Sequence, residues 1–103
     1  MTVKITLPRL VGTREAADRI VGDSIGQGVR EDNDRRVLVL SRALAASTIS
    51  FADELVSKLE QEGFNEILVV GAPEEFTEQL SQATSRRTTI TWRKATSDEL
   101  ALA

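Results

Sequence analysis

The chain has 103 residues, 41% apolar and 28% charged, which suits one globular domain, 1–103, and leaves too little for a second core. Thirteen Lys and Arg against sixteen Asp and Glu give a formal charge of −3 and a pI near 5.0, which argues against nucleic acid as a partner. With neither Cys nor His there is no disulfide, no thiolate nucleophile, no sulfur-built zinc site and no imidazole proton shuttle, so no metal, cofactor or enzymatic activity is expected.

In chain order, Val3, Ile5 and Leu7 alternate with Thr2, Lys4 and Thr6, the period of a strand with one buried face, and Pro8 ends it. Thr13 is placed to cap a helix whose apolar positions are Ala16, Ala17, Ile20, Val21 and Ile25. Gly22, Gly26 and Gly28 should fray or end that helix, since each costs up to about 1 kcal/mol relative to Ala. A charged stretch over 30–36 precedes the apolar run 37–40 (Val-Leu-Val-Leu), which reads as a central parallel strand covered on both faces. Phe51, Leu55 and Leu59, with Ala52 and Val56 beside them, mark the buried stripe of a helix over 51–62. Ser50 is its expected N-cap, Asp53 and Glu54 favour its dipole, and Gly63 is its left-handed stop.

A second apolar strand follows at 67–70 (Ile-Leu-Val-Val) and closes on Gly71, Ala72 and Pro73. Pro73 then opens a helix whose buried side carries Phe76, Leu80 and Ala83. The β-branched segment 88–92 is the last strand, with Ile90 and Trp92 on one face, and Thr96 or Ser97 begins a terminal turn over Leu100. Alternating strands and helices of this kind predict an α/β domain: an open, mostly parallel single-layer sheet of about four strands with helices packed on it. No apolar core of signal-peptide or membrane-spanning length occurs, so a cytoplasmic location without membrane contact is expected.

Three hydroxyls, Ser47, Thr48 and Ser50, converge where a central strand meets the best helix, a place where backbone N–H groups and the dipole favour anions. Asp53 and Glu54 adjoin them, but consecutive helical residues point about 100° apart and no third carboxylate has matching spacing, so they form no metal or general-base site. Gly71 marks a second strand-to-helix turn where backbone can approach an anion. Arg35 and Arg36, like Arg86 and Arg87, each precede a strand, and parallel strands would gather them at one sheet edge; Arg93 and Lys94 form a third basic pair. Gly71, Arg35 and Arg86 are therefore candidate anion-binding residues, although Glu31, Asp32 and Asp34 lie beside the first pair and neutralise part of such a patch.

The run 37–40 followed by a loop and then 47–55 (Ser-Thr-Ile-Ser-Phe-Ala-Asp-Glu-Leu) resembles the STAS family, named for sulfate transporters and anti-sigma-factor antagonists, and more closely the STAS-like domains of prokaryotes. The resemblance follows element order over 13–91 and is specific over 37–55. It implies a signalling domain that regulates transcription, docking an anti-sigma factor or a histidine-kinase-like ATPase through the 47–62 loop and helix, with Ser47, Thr48, Ser50, Asp53 and Glu54 as the candidate partner-binding or phosphorylation residues. In antagonists of that family an Asp-Ser-Ser-Gly-Leu segment begins the helix, and its second Ser is phosphorylated. Matching Phe51 to that Leu puts Ser50 at the Gly, Ile49 at the phosphorylated Ser, Thr48 at the first Ser and Ser47 at the Asp. Phosphorylation, if used, would then fall on Ser47, Thr48 or Ser50. Antagonists start with two strands before the first helix, whereas one strand is read here.

Two further readings stand beside the interaction domain. One is a small-ligand module holding a nucleotide or other anion at the same helix N-terminus. The other is a homo-oligomer formed through an exposed edge strand, 1–7 or 88–92.

Overall fold

A computed structural model of the protein describes residues 3–26 and 36–96. Arg35 with the acidic residues around it, Gly28, Ser97 and Leu100 lie outside the described residues, as does the Ile25 side chain. The elements are β1 (Val3–Thr6), β2 (Leu10–Val11), α1 (Arg14–Gly26), β3 (Arg36–Leu40), β4 (Ala46–Ser47), α2 (Ile49–Gln61), β5 (Glu66–Val70), α3 (Glu74–Ser85) and β6 (Thr91–Lys94). Four of the strands form one wholly parallel sheet in the order β1-β3-β5-β6. Because the order advances in one direction and crossovers between parallel strands are right-handed, every connecting helix falls on the same face.

That face is the core. Ile5, Val37, Val39, Ile67 and Val69 of the sheet pack against Ala17 and Val21 of α1, Phe51, Leu55 and Leu59 of α2, and Phe76, Leu80 and Ala83 of α3. The opposite face carries its own smaller cluster of Leu38, Leu68 and Val70, with Leu40 and Ala95 packed beside them. Residues 37–39 and 67–70 are thus buried throughout, as expected of strands whose two faces are both apolar. All three Phe residues are interior, Phe64 from the turn after α2. Burying such a ring contributes on the order of 1.5–3 kcal/mol.

The ends of α2 follow from local chemistry. Gly63 has φ 91°, its N–H donates to the Glu60 carbonyl at 3.0 Å, and the Phe64 N–H donates to the Leu59 carbonyl at 3.0 Å. These paired bonds satisfy the last orphan carbonyls, and they turn Phe64 back onto the core beside Leu59. Thr13 caps α1 as its position predicts, its γ-oxygen accepting from the Ala16 N–H at 3.0 Å.

Several element boundaries refine or depart from the sequence expectation. Helix α1 passes Gly22 and reaches Gly26, within the glycine-marked stretch where its end is expected, because Ala17 and Val21 are anchored in the core and tertiary packing outweighs the propensity of one glycine. Helix α3 begins at Glu74, with Pro73 one residue earlier as its N-cap at φ −61°. The last strand is Thr91–Lys94 rather than 88–92: Thr91 N–H starts the ladder on the Asn65 carbonyl, while Ile90 plugs the core just before it. Trp92 nevertheless packs on the same core, and its indole N–H donates to Ser81 Oγ at 3.0 Å. Finally, two strands precede the first helix, not one, since β2 pairs in parallel with β4 through Leu10↔Ala46 and Val11↔Ser47.

Candidate functional site

Pairing of β2 with β4 sets the junction at the start of α2. Side chains alternate across this two-stranded ribbon, so Val11 and Ser47 turn inward while Leu10 and Ala46 face out. Ser47 is 8% exposed. Its hydroxyl donates to Gln79 Oε1 at 2.6 Å, and Gln79 Nε2 donates back to the Ser47 carbonyl at 3.1 Å.

Thr48, not Ser50, is the N-cap of α2. The helix begins at Ile49, and extended Thr48 (φ −121°, ψ 159°) directs its γ-oxygen to accept from the Phe51 N–H at 3.1 Å. The same hydroxyl donates to the Gly12 carbonyl at 3.1 Å, which ties the loop before α1 to the start of α2. Ser50 instead lies in the first turn, exposed, and its hydroxyl has no partner among the described residues. Ile49, at the position matched to the family's phosphorylated Ser, is 42% exposed, and Leu10 is 67% exposed. These are the large exposed apolar side chains among the described residues, and both flank the same junction. A shallow depression lined by Leu10, Val11, Gly12, Ala46, Ser47 and Thr48 lies there.

The two carboxylates singled out in α2 are engaged within the protein. Arg14 of α1 reaches Asp53 Oδ2 at 3.2 Å and Glu54 Oε1 at 3.4 Å. Arg87 bridges Asp53 at 3.5 Å and Glu60 at 3.2 Å, two turns apart on α2. Glu54 titrates above the ordinary glutamate range. The chief cause is a hydrogen bond with the Asp18 carboxyl, reinforced by burial and by the Asp18 charge and opposed by Arg14 and Lys58.

Of the candidate anion residues, Gly71 and Arg86 do not come together. Gly71 follows the carboxyl end of β5, whereas Arg86 caps the far end of α3, which spans about 18 Å between them. Arg87 is held by α2, and Arg93 pairs with Glu66 at 3.4 Å. The side chain that meets Gly71 is Arg42, from the turn after β3: a Cβ placed on Gly71 would fall 2.4 Å from Arg42 Cγ. Nothing in the sequence spacing joins Arg42 to Gly71; the pairing of β3 with β5 does. Leu10 was equally hidden, because a two-residue strand has no periodicity to read.

No group of three or more metal-ligating side chains occurs among the described residues, and no helix among them is long and apolar enough to cross a membrane. No family model matches the chain, and no curated protein or solved structure matches it either.

Proposed function

We propose that this chain is a non-enzymatic regulatory domain that docks a protein partner at the junction of β2, β4 and α2. The observation that carries the reading is the placement of Leu10 and Ile49, 67% and 42% exposed, at one polar-rimmed junction. Isolated apolar side chains at a surface need no explanation, but two that flank one loop give a docking partner a desolvated anchor. The resemblance over 37–55 supplies the partner class, an anti-sigma factor or a histidine-kinase-like ATPase. It also supplies a regulatory logic, with Ser50 the exposed hydroxyl that, unlike Ser47 and Thr48, holds nothing in the fold: a phosphate there would set negative charge and a hydration shell beside the apolar anchor.

The alternative of an anion seated at the N-terminus of α2 draws less from the geometry. Thr48 already satisfies the Phe51 N–H, and Arg14 on the adjoining helix is held by Asp53 and Glu54.

The test is capture from native cytoplasm with the tagged chain as bait, run in parallel with Ile49→Asp and with Arg19→Asp on the exposed face of α1. A partner of the ATPase or sigma-related class that is retained by the wild type and Arg19→Asp, and lost with Ile49→Asp, supports the reading. Capture that is indifferent to Ile49→Asp, or no protein partner at all, removes it.

A further inference from the structure

We infer that the chain has a second site, separate from the docking junction, that binds a small phosphorylated molecule in a cavity at the carboxyl ends of β5 and β6. The cavity is about 310 Å³ and is lined by Arg42, Val69, Val70, Gly71, Ala72, Thr77, Lys94, Ala95 and Thr96. Carboxyl ends of parallel strands are where open α/β sheets generally receive ligands.

Charge carries the argument. Two cations from different elements, Arg42 after β3 and Lys94 at the end of β6, line one cavity whose wall, among the described residues, contains no carboxylate. Neither side chain makes an ion pair or hydrogen bond among the described residues, unlike Arg14, Lys58, Arg87 and Arg93, each of which has a carboxylate partner. Convergent like charges repel, and a dianion between them reverses the sign of that interaction. The nearby acids of α3 do not supply the counter-charge: Glu74 and Glu75 are both outside the cavity wall, and Glu75 accepts from Gln79 on the side facing Ser47.

Shape narrows the ligand class. Gly71, at φ 65°, has no Cβ and so lets Arg42 lie across the turn at the cavity mouth. Thr77 already donates its hydroxyl to the Glu74 carbonyl at 2.8 Å, which leaves the polar recognition to the two cations. Arg and Lys together suit a phosphate, the one by its fork of donors and the other by its point charge. The volume exceeds what inorganic phosphate fills and lies at the small end of organic-ligand sites. Val69, Val70, Ala72 and Ala95 offer an apolar wall for a compact organic body such as a sugar.

The test is a titration of the whole chain with ribose 5-phosphate followed by amide NMR, with inorganic phosphate and unphosphorylated ribose in parallel. Saturating shifts are expected at Gly71, Ala72, Ala95 and Thr96. Arg42→Gln and Lys94→Gln should each weaken binding about tenfold while their spectra keep the native dispersion. Arg19→Gln and Ile49→Asp should bind as the wild type does, which separates this site from the docking junction. Absence of saturation with ribose 5-phosphate, equal binding of ribose, or affinity unchanged in both Arg42→Gln and Lys94→Gln would overturn the assignment.

Discussion

Ser47 and Gln79 hold each other by a reciprocal pair of hydrogen bonds, hydroxyl to amide oxygen at 2.6 Å and amide nitrogen to main-chain carbonyl at 3.1 Å. The pair joins the start of α2 to the middle of α3 across the mouth of the sheet. Gln79→Ala removes both bonds and leaves an almost fully buried hydroxyl without its acceptor. It should lower unfolding free energy by about 1–3 kcal/mol in urea titrations. Ser47→Ala removes only one bond and should cost about 1 kcal/mol. An acidic group at Ser47 would break the clamp itself, so Ser47→Asp should behave as a stability variant rather than as a mimic of regulation.

The two other hydroxyls at the junction separate by the same reasoning. Thr48→Ala removes the cap of α2 and the tie to Gly12 together, and should cost about 1–2 kcal/mol. Ser50→Ala touches nothing that holds the fold, and its melting temperature should match the wild type. Ser50→Asp should likewise fold normally, since an acidic residue in the first turn complements the dipole, and on the proposed reading it should lose the partner. Melting curves of the three variants check the structural half. Partner capture with Ser50→Asp checks the other, where undiminished capture contradicts the proposed switch.

How far the sequence foretold this molecule depends on whether the signal was periodic or topological. Apolar runs at 37–40 and 67–70, the stripe Phe51-Leu55-Leu59 and the stop at Gly63 repeat or terminate on a scale that a single segment can display, and each is found in place. Sequence alone points to Ser50 rather than Thr48 as the cap because three hydroxylated residues stand within four positions, and only the backbone angle at Thr48 tells which one faces the first free N–H. Arg36 and the pair Arg86-Arg87 share the amino-terminal edge that their positions imply, yet that edge is not where Gly71 lies. Arg35-Arg36 and Arg86-Arg87 each precede a strand, but ion pairing draws Arg87 onto α2, and Gly71 lies at the opposite end of the sheet. Arg42 and Lys94 come to line one cavity only through strand pairing, some fifty residues apart in the chain.

Gly22 gives a prediction of opposite sign. It lies on the exposed side of α1, in the helix interior, and a Cβ there would meet no atom within 4 Å. Alanine adds nothing that must be accommodated and restricts the unfolded chain. Gly22→Ala should therefore raise stability by about 0.5–1 kcal/mol, read as a higher urea midpoint at unchanged slope. A destabilised Gly22→Ala would mean that something packs on this side of α1 in solution.

Glu54 makes stability depend on pH in a sense opposite to that of most carboxylates. Asp18 stands against it across the α1–α2 interface, hydrogen-bonding the protonated carboxyl and repelling the ionised one, so the native state holds this proton more tightly than the unfolded chain does. A group bound more tightly in the native state stabilises it while protonated, and that contribution is lost as pH rises from the ordinary glutamate range through the raised folded value. Glu54→Gln keeps the shape and removes the charge, and Arg14 retains Asp53 at 3.2 Å. The variant should therefore melt above the wild type at neutral pH, and the gap should close as the pH falls below the ordinary glutamate range, where the wild-type side chain is neutral too. Thermal scans of both proteins from about pH 4 to about pH 8 check this. A gap that widens toward acid would show that Arg14 and Lys58, rather than Asp18, dominate the surroundings of Glu54.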